Sequence, residues 1–121
     1  MKMLKKTAIV IFVLLMAACS SKDKKVHIPA TIIPQEQMVQ VLVDFHLAEA
    51  AIQRAKQDGR DVNMISNFYY ASLLKKHHIT RKKFNESLLF YSNNLKELEN
   101  IYKDVVTELS KTQSKIVSRK I

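Results

Sequence analysis

One glycine and two prolines among 121 residues constrain this chain more than any other feature. Glycine supplies the left-handed and tight-turn conformations that a multi-stranded sheet needs at its reversals. With Gly59 alone, and no run of alternating apolar and polar residues, a sheet has little to turn on. Few breakers also mean long uninterrupted segments, and the apolar residues within them recur at three- and four-residue spacing. The expected fold is all-α, a small antiparallel bundle of three long helices plus one short one.

The breakers and caps divide that bundle. Pro34 suits a helix start, and Met38, Leu42, Phe45, Ile52 and Ala55 then lie at helical spacing until Asp58-Gly59 stops the first helix. Asp61 can cap a second helix from Val62 to His77, whose expected core face is Ile65, Phe68, Tyr69, Leu73 and Leu74. Thr80 can cap a short third helix carrying Phe84, Leu88 and Tyr91, and Asn93-Asn94 breaks the chain again. The last helix has the cleanest stripe, Leu98, Tyr102, Val105, Leu109 and Ile116. Beyond Ser110 the sequence turns polar and basic, which is expected to project from the bundle or fray.

The first eighteen residues set the expected address. Lys2, Lys5 and Lys6 precede an apolar run from Ala8 to Met16, and Ala17-Ala18 sit just before Cys19. That is the charged, apolar, small-residue order of a secretory signal peptide. The run is well short of the about 20 residues that a spanning helix needs. Cys19 is the single cysteine, so it has no disulfide partner within the chain. Met16-Ala17-Ala18-Cys19 resembles the lipobox of bacterial lipoproteins, in which the cysteine sulfur is acylated and the signal peptide removed. The expected division is residues 1–18 as signal peptide, 19–34 as lipidated cysteine and flexible tether, and 35–121 as the helical domain. Removal of residues 1–18 takes three lysines and no acid from the +9 chain, leaving 103 residues at +6. A basic balance ordinarily raises nucleic acid as a partner. Export on a lipid anchor argues against it, in favour of anionic headgroups or an acidic protein surface.

From Met38 to Ala50 the chain reads Met-Val-Gln-Val-Leu-Val-Asp-Phe-His-Leu-Ala-Glu-Ala. This resembles a domain-of-unknown-function family of small Bacteroidota lipoproteins whose signature is His-Leu-Ala-Glu, here His46 to Glu49. The similarity extends to Ile32-Ile33-Pro34, to His78-Ile79-Thr80 with Phe84, to Tyr91-Ser92, and to Leu98-Glu99-Asn100-Ile101-Tyr102. The resemblance implies an envelope lipoprotein and carries no activity.

Three constellations can carry function. His46 and Glu49, three residues apart, share a helix face, and Glu49 continues the line Met38–Leu42–Phe45 at or near the buried stripe. A carboxylate there needs a partner. The pair is read first as structural, satisfied by itself or by tyrosine and backbone groups of a neighbouring helix. A docking site stands second, and a metal or acid–base site third. A metal would need His77 or His78 from the second helix. Asp44, two residues before His46, points about 200° away at 3.6 residues per turn and is not counted in the same site. The second constellation is the basic corner of Lys75, Lys76, His77, His78, Arg81, Lys82 and Lys83, either a solvated helix end or a contact for anionic surfaces. The third is Phe68, Tyr69, Tyr70, Phe84, Phe90 and Tyr91, either core or the lining of a groove for an apolar ligand.

No Gly-x-Ser-x-Gly turn, phosphate-cradling loop or cysteine cluster accompanies these. The expected function is a non-enzymatic helical interaction or scaffold module, without cofactor, tethered through Cys19 beside an envelope protein partner. The runner-up is a carrier or chaperone for lipid or unfolded outer-membrane clients. Ser20 lacks the aspartate linked to inner-membrane retention, and Lys24-Lys25 departs from surface-export signals that Lys22-Asp23 begins to resemble. The periplasmic face of the outer membrane is therefore expected.

Overall fold

Proline has a fixed φ and no N–H, and both properties suit the residue that opens a helix. In the computed structural model, which describes residues 2–4, 6 and 25–120, Pro34 is the N-cap of helix α1, Gln35–Gln57, and its carbonyl accepts from the Met38 amide at 2.8 Å. Segment 7–24, and with it Cys19, lies outside the described residues. The helix ends where Gly59, at φ +69°, lets its own amide reach the Lys56 carbonyl and the Arg60 amide reach that of Ala55.

Helix α2, Val62–Lys76, starts at Asp61, whose carboxylate accepts from the Met64 amide at 3.1 Å. It closes with the same double bond pattern as α1: His78 N–H to Lys75 O, and Ile79 N–H to Leu74 O. Here the left-handed residue is His78, at φ +53°, where a side chain costs about 1 kcal/mol or more. Helix α3, Arg81–Ser92, is capped by the Thr80 hydroxyl, which accepts from the Lys83 amide. Helix α4, Leu95–Lys120, follows Asn93-Asn94, with the Asn94 side chain donating back to Phe90 O. Helices of 23, 15 and 26 residues plus one of 12 make the all-α fold expected.

α1 is the central element. Met38, Val39, Val41, Leu42 and Val43 are all buried, which a helix achieves only when it is covered on more than one side. α2 runs antiparallel along one side, since Gln37 bonds the His77 carbonyl at one end and Glu49 accepts from Tyr70 towards the other. α4 covers another side through Ile101 and Val105, with Gln35 donating to Glu97 and the His46 and Tyr102 rings 6.0 Å apart.

The packed domain begins before α1. The tether was expected to run free to Pro34, but Ile32 and Ile33 are buried, Ile33 completely. The Ile33 N–H donates to Ser87 Oγ at 2.9 Å, and its carbonyl accepts from the Tyr91 hydroxyl at 2.6 Å. Ser87 in turn donates to Lys83 O at 2.7 Å. Two side chains one turn apart on α3 thus hold both polar groups of one buried residue, and both are fully buried themselves.

Other expectations of burial are corrected. Phe68 and Tyr69 are exposed, while α2 buries Ile65 and Leu73. Glu49 is exposed as well; at that level α1 buries Ala48 instead, and the line Val41–Ala48–Ala55 replaces the one through Glu49. Tyr102 and Ile116 are exposed, since α4 packs through Ile101 and Val105 and then outruns the bundle. His77 is the C-cap of α2, not its last helical residue.

Two outcomes follow from this architecture. Tyr91→Phe leaves the buried Ile33 carbonyl without a donor and is expected to lower unfolding free energy by about 1–3 kcal/mol in urea titrations. His78→Gly relieves the left-handed side chain and is expected to raise stability by about 1 kcal/mol; an unchanged or lower urea midpoint would contradict it.

Candidate functional site

The acid of α1 that finds a cluster is Asp44, not Glu49. Asp44 is the single charge between Met38 and Phe45, on the side of α1 that faces α2. There Asp44 Oδ2 lies 2.6 Å from His77 Nε2 and 2.7 Å from Lys76 Nζ. The His77 side chain is only 10% exposed, and its backbone carbonyl accepts from Gln37 at 3.0 Å, so both ends of the residue are tied to α1. Burial by itself pushes the Asp44 carboxyl up. The hydrogen bonds from Lys76 and His77, with their charges, outweigh it and hold the group below its ordinary 3.8. The capping turn of α2 places His77 there: the helix stops at Lys76, and His77 drops from the C-cap position towards α1.

His46 and Glu49 are not joined to each other. Glu49 accepts from the Tyr70 hydroxyl of α2, which raises the Tyr70 pKa; partial burial and the Glu49 charge act in the same direction. His46 instead makes ring contacts with Phe45 at 5.8 Å and with Tyr102 at 6.0 Å. His77 is bonded to Asp44 and does not approach this pair. Among the described residues no three His, Cys, Asp or Glu side chains converge as a metal site would require.

The basic corner is split by the fold. Lys76 and His77 turn towards Asp44, while Lys75, His78, Arg81 and Lys82 are exposed and Lys83 is half-buried. Lys82 lies 3.8 Å from Glu86, an exposed pair of little energetic weight. The six aromatics do not line one groove either. Phe68 and Tyr69 sit at the surface, 5.8 Å apart, whereas Tyr91 is fully buried beside Phe90. Burial, followed by the nearby Glu97 charge, raises the Tyr91 pKa.

α4 forms a second charged region. Past Leu109 its residues are exposed apart from half-buried Thr112, yet it stays helical to Lys120 and projects roughly 16 Å further at 1.5 Å per residue. Ile116 and Val117, each 52% exposed, lie among Lys111, Lys115, Arg119 and Lys120, with no acidic residue after Glu108. Val106, a few turns earlier, is also exposed.

A family model described as a domain of unknown function (DUF4296) matches residues 29–115. The chain belongs to that family. The match to DUF4296 begins at Pro29, just ahead of the buried Ile32-Ile33 segment, and ends on the projecting part of α4. No curated protein and no solved structure matches the chain.

Sequence reasoning missed the Asp44–Lys76–His77 cluster and the Ser87–Tyr91 clamp. One signal was available for the first: a lone carboxylate inside an apolar run needs a partner from another element. A depressed carboxylate pKa stabilises the fold above its unfolded value, and that contribution is lost as pH falls through the lower folded value. The native protein is therefore expected to weaken on acidification below 3.8, and Asp44→Asn to lack that part of the loss. At pH 7 the variant should be about 2 kcal/mol less stable. Urea midpoints at pH 7 and pH 3 check this; a gap between the two proteins that does not narrow in acid would refute it.

Proposed function

We propose that this DUF4296 chain is a non-enzymatic interaction module of the bacterial envelope, acylated at Cys19 and held at the periplasmic face of the outer membrane. The observation that carries the docking role is the end of α4. A helix that leaves its bundle while keeping apolar side chains exposed presents anchors at helical spacing for a groove in another protein. Val106, Ile116 and Val117 are such anchors, and Lys115, Arg119 and Lys120 around the last two, beyond the Lys111–Glu108 pair, favour an acidic partner. Exposed Met64 and Phe68, one turn apart on α2, add a second apolar step. The anchor rests on the order of charge, apolar run and small residues before Cys19 and on the resemblance to envelope lipoproteins.

The carrier reading is less well supported, since Tyr70 and Phe84 share a small pocket but Phe68 and Tyr69 are exposed and Phe90 and Tyr91 pack in or against the core. A photo-crosslinker at Ile116 in the full-length protein, expressed in its native envelope, is expected to capture one acidic envelope protein. Ile116→Ser with Val117→Ser should abolish recovery of that partner while shifting unfolding free energy by no more than about 0.5 kcal/mol, as for surface substitutions. Cys19→Ala should remove palmitate label and release the protein from membranes. Repeated crosslinking without a discrete product would overturn the docking role, and retained label in Cys19→Ala would overturn the anchor.

A further inference from the structure

The first turn of α3 has an electrostatic arrangement that opposes its own helix. Arg81, Lys82 and Lys83 occupy the end at which the helix dipole is positive, and no acidic residue lies in that turn. Compensation within the chain is slight. Lys82 has only the exposed 3.8 Å contact with Glu86, and Arg81 makes no ion pair or side-chain hydrogen bond among the described residues. Of the three cations, Arg81 borders the adjacent pocket and offers its guanidinium to an anion there.

Arg81 also lines a cavity of about 160 Å³, whose remaining walls are Phe45, Tyr70, Leu73, Leu74 and Phe84. The Phe45 ring stacks with Tyr70 at 5.9 Å and lies 5.8 Å from Phe84, so three aromatic rings from three helices meet at the cavity. The Tyr70 hydroxyl is already engaged by Glu49. Arg81 is thus the single charged group of an otherwise aromatic and aliphatic lining. An apolar cavity of about 150 Å³ accommodates a benzene ring. The pocket is partly open to solvent; its volume matches one ring or a short branched chain, and the charge favours an anion attached to it.

We propose that this cavity is a binding site for a small apolar carboxylate, its ring or branched chain seated among Phe45, Leu73, Leu74 and Phe84 and its carboxylate paired with Arg81. Planar guanidinium and planar carboxylate match in a two-bond fork, which makes Arg81 the specificity-determining residue. The same chemistry can come from a free acid or from the C-terminal residue of a peptide. This site does not rest on the docking role of α4.

Isothermal titration of the full chain in detergent micelles tests it, with phenylacetate as the charged probe and phenylacetamide as its neutral isostere. Phenylacetate is expected to bind saturably and the amide about tenfold more weakly, a difference of about 1.4 kcal/mol. Arg81→Gln, at an exposed position, should remove that preference without altering the circular dichroism spectrum. Leu74→Trp, which fills the cavity, should reduce both ligands together. A short peptide ending in phenylalanine, with its C-terminus free or amidated, separates the sources: preference for the free-acid peptide over phenylacetate identifies a protein terminus, and the reverse identifies a free acid. No saturable binding of either acid, or an undiminished acid preference in Arg81→Gln, overturns the proposal.

Discussion

A peptide group removed from water must find hydrogen bonds elsewhere or destabilise the fold by the full loss of its hydration. Ile33 has no exposed surface, and both of its backbone polar groups are satisfied by α3, through Ser87 and Tyr91. Much of the architecture follows from this single arrangement. It fixes the chain that enters the domain, and so the direction from which α1 departs. It also brings α3 into register with the start of α1. Ser87 is able to serve because its own hydroxyl proton goes to the Lys83 carbonyl within α3, leaving its lone pairs for Ile33.

The same requirement shapes the contact between α1 and α2. Placing Asp44 on the face of a central helix would be unfavourable without polar partners. α2 supplies two of them from its last turn and cap, and the Gln37 amide holds the adjoining carbonyl. The ordinary helix-end preference for cations is thereby turned inward, so that the basic corner read from the sequence becomes two separate features: Lys76 and His77 against Asp44, and Arg81 to Lys83 at the start of α3.

Polar satisfaction at one end of the molecule contrasts with its lack of completion elsewhere. Among the described residues every buried side-chain nitrogen and oxygen has a partner. The surface, by contrast, keeps Met64, Phe68, Val106, Ile116 and Val117 exposed and leaves the cations of the α4 tail without acids in sequence after Glu108. A small domain has limited apolar residues for its core. Several of them nevertheless lie on the outside, and the proposed docking role rests on those.

The number and type of elements were legible in the sequence because local rules govern them. Gly59, Asp61, Thr80 and Asn93-Asn94 punctuate the chain at positions dictated by backbone φ and by orphan amides at helix starts. The cationic tail after Ser110 could likewise be read directly; of the two expectations, projecting or fraying, it stays helical to Lys120. What faced the interior was less legible: Glu49, Phe68 and Tyr102 sit on periodic stripes yet lie at the surface, while Ile32 and Ile33 precede the first helix and are buried. Periodicity specifies only that residues share a face. Which face is covered depends on where neighbouring helices lie, and that is decided by contacts such as Ile33 with Ser87, 54 residues away, and Asp44 with His77, 33 away. The sequence by itself determined four helices and their ends, through short-range backbone chemistry. Only the tertiary structure decided the clamp, the acid–histidine–lysine cluster and the Arg81 cavity, because each is made by side chains that distant elements bring within hydrogen-bond or van der Waals reach.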